Sequence, residues 1–241
     1  MAKQRLDRVI VDRGLVDSRE KAQALIMAGE VLVAGQKAQK PGQLIEADAA
    51  IELTAKQRYV SRGGLKLEAA LREFAIDPTG TVCADFGSST GGFTDCLLQH
   101  GAARVYAIDV GTAQLEWKLR SDPRVIVREN VNARYIQPSD LGESVDLAVC
   151  DVSFISATLI LPVMVSVGAK SLVVLVKPQF EAGREQVGKG GIVKDPAVWE
   201  AACEKLRLCA EELGLKTRIM DSPITGAEGN REFLLYGRFE S

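Results

Sequence analysis

Thr81-Val82-Cys83-Ala84-Asp85-Phe86-Gly87-Ser88-Ser89-Thr90-Gly91-Gly92-Phe93-Thr94 is the stretch that decides the fold. An apolar run, Thr81 to Phe86, carries Asp85 near its end and then turns at Gly87. A helical pattern follows from Phe93 to His100. Strand, glycine turn and helix together spell the nucleotide-binding βα unit of a doubly wound sheet. Gly87 permits a tight turn and close approach of a ligand to the backbone. The helix start at Gly91 offers free N–H groups to an anion. A second strand, Arg104 to Ile108, ends at Asp109, 22 positions after Gly87. At that spacing a carboxylate reaches a ribose diol. The pattern predicts an adenosine-containing cofactor and leaves NAD, FAD and S-adenosylmethionine open.

Outward from this unit, the alternation continues. Val125 to Val127, Val145 to Cys150 and Ser171 to Val176 read as further strands. Lys216 to Met220 and Glu232 to Phe239 read as two more, joined by the loop Thr225 to Asn230. Trp199 to Leu213 has helical spacing. Residues 179–195 form a long loop rich in glycine and charge, and loops of this length are usually functional or mobile. The expected class is α/β, a doubly wound, Rossmann-like sheet with a small N-terminal α+β unit.

Composition narrows the function classes. With 241 residues, 46% hydrophobic and 26% charged, the chain can bury a proper core and reads as soluble and globular. A net charge of −2 means that any basic, nucleic-acid-binding surface is local. The five cysteines form no CxxC pair, and Cys83 and Cys150 fall inside apolar strands, so a reducing, cytoplasmic setting is expected. His100 is the only histidine, which argues against His-based triads and most zinc sites; no metal is expected. Lys3, Arg5, Asp7 and Arg8 break any N-terminal signal pattern. Val152 to Ala169 lacks formal charge and has the length of a membrane span. Pro162 and four hydroxyl residues argue instead for a strand-end loop followed by a helix buried against the sheet.

Residues 1–54 read as a separate unit and 55–62 as a linker. Leu6, Val9 and Ile10 give one helical face. Asp17-Ser18-Arg19-Glu20 offers a helix cap and the acid of a capping box. Ala22, Leu25 and Ile26 line a second helix. Val31 to Val33 is a strand, Gly35-Gln36 a turn, and Ala50 to Leu53 a return strand. Arg5-Leu6-Asp7, Gly14-Leu15-Val16, Ser18 to Ala22, Gly29-Glu30-Val31 and Lys40-Pro41-Gly42 resemble the S-four RNA-binding domain. That resemblance implies that Arg5, Arg8, Arg19, Lys21 and Lys37 contact RNA phosphates. Such contacts position the partner and carry little sequence information.

Residues 63–241 hold the chemistry. Lys66 lies on a helix before the sheet. Asp151 ends the fourth strand, Lys177 the fifth, and Glu232 begins the last. Any one of these is ordinarily a solvated terminus. Two lysines and two carboxylates at the ligand edge of one parallel sheet form a charge-balanced square. Ser61-Arg62 with Lys66-Leu67, Asp85-Phe86-Gly87, Asp151-Val152-Ser153, Lys177-Pro178-Gln179-Phe180-Glu181 and Gly229 to Phe233 resemble the FtsJ/RrmJ-type ribose 2′-O-methyltransferases. With the N-terminal unit, the whole chain resembles the TlyA family, often labelled hemolysin A.

By that resemblance Lys66, Asp151, Lys177 and Glu232 are a catalytic tetrad. S-adenosylmethionine lies over Asp85, Gly87, Ser88, Ser89, Thr90, Gly91, Gly92 and Phe93, with Asp109, Val110, Asn130 and Asp151 beside it. The implied reaction is 2′-O-methylation of ribosomal RNA, with cytidine the usual target. Ribosomal subunits are the implied partners, and neither DNA nor a membrane is expected. Lys177 would serve as base or orienter of the hydroxyl. Three rival readings are a non-catalytic ribosome-assembly factor, a hemolysin, and an NAD-dependent oxidoreductase, the last having no use for the four-residue square.

Overall fold

The structure is a computed structural model and describes residues 3–53, 58–226 and 229–240. Residue 54 of the expected N-terminal unit, the first three residues of the expected linker, 55–57, and two residues of the expected Thr225–Asn230 loop, 227 and 228, lie outside the described residues. The chain divides into two compact units, Met1–Arg58 and Tyr59–Ser241.

In the first unit, β1 (Lys3–Arg5) leads into α1 (Leu6–Asp12) and α2 (Arg19–Met27). β2 (Val31–Val33), β3 (Gln36–Lys37), β4 (Leu44–Glu46) and β5 (Ile51–Leu53) follow. Leu6, Val9 and Ile10 of α1 pack on Ala22 and Ile26 of α2 and on Val31, forming one small core. β2 lies between β3 and β5, and β1 pairs antiparallel with β4, Lys3 opposite Glu46. The β1–β4 pair was not legible in the sequence, because each strand is three residues long and β1 is exposed throughout. Ser18 caps α2 by accepting from the Lys21 N–H at 3.2 Å. The expected capping box does not form: the position that would return the bond is occupied by Lys21, and Glu20 is one residue too early.

In the second unit, α3 (Gly63–Glu73) precedes β6 (Val82–Phe86), α4 (Gly92–Gln99), β7 (Arg104–Ile108), α5 (Trp117–Arg120) and β8 (Val125–Arg128). Then come α6 (Pro138–Leu141), β9 (Leu147–Cys150), α7 (Leu161–Ser166), β10 (Ser171–Val176), α8 (Pro178–Glu181), α9 (Pro196–Glu212), β11 (Lys216–Asp221) and β12 (Phe233–Arg238). One sheet runs in the order β11-β12-β10-β9-β6-β7-β8. β6 to β10 are parallel, whereas β12 runs antiparallel to both β10 and β11.

Alternation along the central strands divides the core. Ala84, Phe86, Ala148, Cys150, Leu172 and Val174 face the layer that holds α7 and α9. Cys83, Leu147, Val149, Val173 and Leu175 face α3 and α4. Residues 152–169 form a loop, a short 3-10 turn and the buried-faced α7; no helix among the described residues is long and apolar enough to cross a membrane. Tyr59 belongs to the second unit. It is buried against Gly64, where an added Cβ would fall 2.3 Å from the tyrosine ring, so only glycine fits.

Candidate active site

Strand order reverses between β6 and β9, and the ends of these two strands bound the crevice where such sheets take ligands. Gly87 follows β6 with φ +85°, and a Cβ there would stand 2.8 Å from the Asp151 carbonyl oxygen just past β9. The glycine is thus required twice, by its backbone conformation and by the approach of its neighbour. Gly91, also left-handed, is the N-cap of α4.

Asp151 forms part of the wall of three cavities. The first, about 470 Å³, is bounded by Gly87, Ser89, Asp109, Val110, Asn132 and Phe154 among others. The second, about 120 Å³, lies among Ser61, Lys66, Ser88, Thr90, Gly92 and Phe93. The third, about 720 Å³, holds Lys66, Lys177 and Glu232 together with Phe154, Phe180 and Gly191. The four residues scattered over the chain at positions 66, 151, 177 and 232 therefore meet in one recess.

They meet as two ion pairs. Lys66 Nζ lies 2.5 Å from Glu232 Oε2, with both side chains almost fully buried. Lys177 Nζ lies 2.6 Å from Asp151 Oδ1 and donates to the Ser153 hydroxyl at 2.8 Å. Lys66 reaches the recess from α3, on whose other faces Leu67 and Leu71 enter the core. Lys177 ends β10, where Pro178 stops the strand and starts α8. Glu232 arrives from the opposite direction, because β12 runs antiparallel to β10 and begins where β10 ends.

Of the residues expected to hold a cofactor, Gly87, Ser89, Asp109, Val110 and Asp151 line the first cavity and Gly87, Ser88, Ser89, Thr90, Gly92, Phe93 and Asp151 the second, whereas Asp85, Gly91 and Asn130 line neither. Asp109 accepts from the Ser89 N–H at 2.8 Å and from the Gly111 N–H at 2.7 Å, which fixes its carboxylate at the rim of the first cavity. Asp85 is wholly buried, and Thr94 donates to its Oδ2 at 2.7 Å. Burial pushes the Asp85 carboxyl up to about 7, against the opposing pull of the Thr94 bond. Its Oδ1 has no hydrogen-bond partner among the described residues. An orphaned acceptor beside a glycine turn fits a group that brings its own donor. Asn130 is turned elsewhere: it accepts from the Thr112 hydroxyl at 2.7 Å, and Asn132 rather than Asn130 stands in the cavity wall.

Phe154, Gln114 and Arg134 were not singled out from the sequence, yet all three border the first cavity. Phe154 is the most telling. It is 88% exposed, adopts φ +69°, and packs against Phe180 with ring centroids 5.3 Å apart. A left-handed, solvent-facing phenylalanine has no periodic signature; its nearness to Asp151 was the only signal.

In the first unit, the predicted RNA contacts fall into two groups. Arg5 and Arg19 both hold the buried Asp7, at 2.9 Å each, and Gln23 adds a third donor at 2.9 Å. The Arg5 guanidinium and its companions hold the Asp7 carboxyl well below the usual carboxylate range. Lys21 pairs with Asp17 at 3.3 Å. Arg8 and Lys37 are exposed.

Fold and site together define a Rossmann-like transferase domain joined to a small α+β unit. Residues 59–239 match the FtsJ-like methyltransferase family, and residues 4–51 match the S4 domain. The 16S/23S rRNA (cytidine-2′-O)-methyltransferase TlyA of Mycobacterium tuberculosis is 44% identical, over 98% of this chain and 90% of its own. Hemolysin A of Brachyspira hyodysenteriae is 43% identical, over 96% of this chain and 98% of its own. A solved structure from Streptococcus thermophilus, provisionally labelled a hemolysin, superposes with a TM-score of 0.75 at 44% identity, covering 100% of this chain and 90% of that one. The chain belongs to the FtsJ-like methyltransferase family, in the branch that carries an S4 domain and includes TlyA and hemolysin A.

Proposed function

We propose that this protein methylates the ribose 2′-hydroxyl of ribosomal RNA, at cytidine, using S-adenosylmethionine and the tetrad Lys66, Asp151, Lys177 and Glu232. The observation that carries the reading is the meeting of two lysine–carboxylate pairs, Lys66–Glu232 buried and Lys177–Asp151 partly so, in a recess that shares Asp151 with the glycine-turn cleft. The substrate class follows the names of the relatives; the 2′-hydroxyl itself exists only in RNA.

When bound, S-adenosylmethionine supplies a methyl group on a positively charged sulfur. Asp109 suits the ribose diol of such a cofactor, the 87–93 turn its polar backbone contacts, and the unpartnered Asp85 Oδ1 a donor group. The target hydroxyl is a weak nucleophile that must be held and relieved of its proton. An ammonium has three N–H groups. Lys177 spends two sides on Asp151 and Ser153 and has one N–H left to fix the incoming oxygen. Asp151, 2.6 Å away, accepts a proton passed through Lys177 as the hydroxyl loses its own. Lys66 and Glu232 neutralise each other and wall the opposite side. Phe154 offers an exposed π face at the mouth, suited to stacking the target base.

The direct test is tritium transfer from methyl-labelled S-adenosylmethionine into ribosomal RNA lacking the modification, followed by mapping of the modified ribose. Label at a cytidine 2′-oxygen supports the reading; label on a base, or none, overturns it.

A further inference from the structure

Beyond Lys177, the segment that follows β10 is fastened to the segment that follows β9 at three successive points. Lys177 meets Asp151 and Ser153. Phe180 meets Phe154. Glu181 then accepts from the Ser156 hydroxyl at 2.5 Å and from the Ala157 N–H at 2.7 Å. The Glu181 side chain is only 2% exposed, and Lys205 of α9 closes it from outside at 3.0 Å. A carboxylate this enclosed accepts a bond at each oxygen, as burial demands.

The geometry points to Glu181 as a positioning residue for Lys177, a role that rests on the function proposed above. Residues 151–157 make no regular secondary structure until the 3-10 turn that starts at Ala157. Nothing periodic holds Ser153 and Phe154 in place. Glu181 fastens the far end of that loop to α8, whose first residue is joined to Lys177. Without it, the far end of the loop is released, and only the Lys177 contacts to Asp151 and Ser153 and the Phe154–Phe180 ring contact keep the loop beside the Lys177 ammonium. Displacements of about 1 Å in such positioning cost up to about a hundredfold in rate.

Glutamine separates position from charge. In Glu181→Gln the new amide oxygen can accept from Ala157 while the amide NH2 donates to the Ser156 oxygen. The tie then survives with the bond polarity at Ser156 reversed, while Lys205 gives up its bond to Oε2 and keeps the one to the Glu181 backbone carbonyl.

The experiment measures single-turnover methyl transfer with saturating RNA for wild type, Glu181→Ala, Glu181→Gln and Lys177→Ala. Rates are normalised to the fraction of protein that binds S-adenosylmethionine in a titration. Glu181→Ala should be slower by about tenfold to a hundredfold with unchanged KM for S-adenosylmethionine, and Glu181→Gln should recover to within about threefold of wild type. If Glu181→Ala matches wild type while Lys177→Ala is dead, the positioning role is overturned and the tetrad stands. If Lys177→Ala stays active, the tetrad reading itself fails. Equal impairment of the alanine and glutamine variants also overturns positioning, in favour of a charge effect. Should Glu181→Ala not fold, Glu181→Leu with Lys205→Met removes both bonds of the tie and the facing charge together; an unchanged rate there overturns the role, and a fall of about threefold or more supports it.

Discussion

Lys177 Nζ sits 2.6 Å from Asp151 Oδ1, and this pair joins the ends of two neighbouring parallel strands at the crevice beside Gly87. On the proposed mechanism, removing Lys177 takes away both the hydrogen bond to the target oxygen and the path for its proton. Lys177→Ala is expected to lower single-turnover methyl transfer by about 10²–10⁴-fold. Calorimetric titration with S-adenosylmethionine should still give stoichiometric binding, because Lys177 does not border the cavity that contains Asp109. Wild-type rates in this variant would remove Lys177 from the mechanism.

Lys66 and Glu232 form the more enclosed pair. Lys66→Met leaves a carboxylate buried without its counter-charge and should cost about 3–5 kcal/mol of stability, read as a shift in the urea midpoint. Adding Glu232→Leu should restore most of that loss while the protein stays inactive. A double variant as unstable as the single would mean that the pair is not what Lys66 stabilises.

Asp85 gives a pH signature. Its folded-state pKa, about 7, is above the value near 3.9 of an unfolded aspartate. A raised carboxyl favours folding in its protonated form; that contribution is complete below about pH 4 and is lost as pH rises through 7. Asp85→Asn, which stays neutral, should therefore equal wild type in stability near pH 4 and exceed it increasingly up to pH 7, with a constant gain above. The same variant should bind S-adenosylmethionine more weakly at pH 8. Melting curves at several pH values without cofactor test the first claim, and titration tests the second. A stability gain that grows toward acid pH would refute the assignment.

Phe154 is exposed, so its removal should not unfold the protein. Loss of a stacking face is worth about 1–3 kcal/mol per base. Phe154→Ala should lower kcat/KM for RNA by about tenfold or more, with an unaltered melting temperature. A normal kcat/KM would assign the ring to packing on Phe180 alone.

The basic residues of the first unit should part company under mutation. Arg8→Ala and Lys37→Ala should weaken RNA binding evenly across sequences and lower the salt slope by about 0.7–0.9 for each phosphate no longer neutralised, without a change in melting. Arg5→Ala and Arg19→Ala should do this and also destabilise, since each deprives the buried Asp7 of a donor. Filter binding over a salt series, together with melting curves, distinguishes the groups.

The central strands were legible because parallel strands buried on both faces leave apolar runs, as at Leu147–Cys150 and Leu172–Val176. Strand direction at the far edge was not. Glu232 to Phe239 looks the same whichever way it runs, and only the register with β10 turns it antiparallel and brings Glu232 to the crevice. The four ionisable residues could be placed at strand ends, but not paired: that Lys66 takes Glu232 and Lys177 takes Asp151 depends on packing between segments more than 20 residues apart. The start of α9 was expected at Trp199. The helix begins at Pro196, whose fixed φ suits a first helical turn capped by Asp195.

The length and glycine content of residues 179–195 lead to the expectation of a functional or mobile loop. It is fastened: the Asn230 side chain accepts from the Val193 N–H and donates to the Gly191 carbonyl, both at 2.9 Å, and the Trp199 indole donates to the Val193 carbonyl at 3.0 Å. These bonds hold the Gly191–Val193 end of the segment beside the recess. With Lys177 and Glu232 so far withdrawn from solvent, an RNA backbone lying flat on the surface does not bring its sugar to them. On the proposed function the distortion falls to the RNA, which must extrude a nucleotide to reach that recess, and strands that unpair readily should be modified soonest.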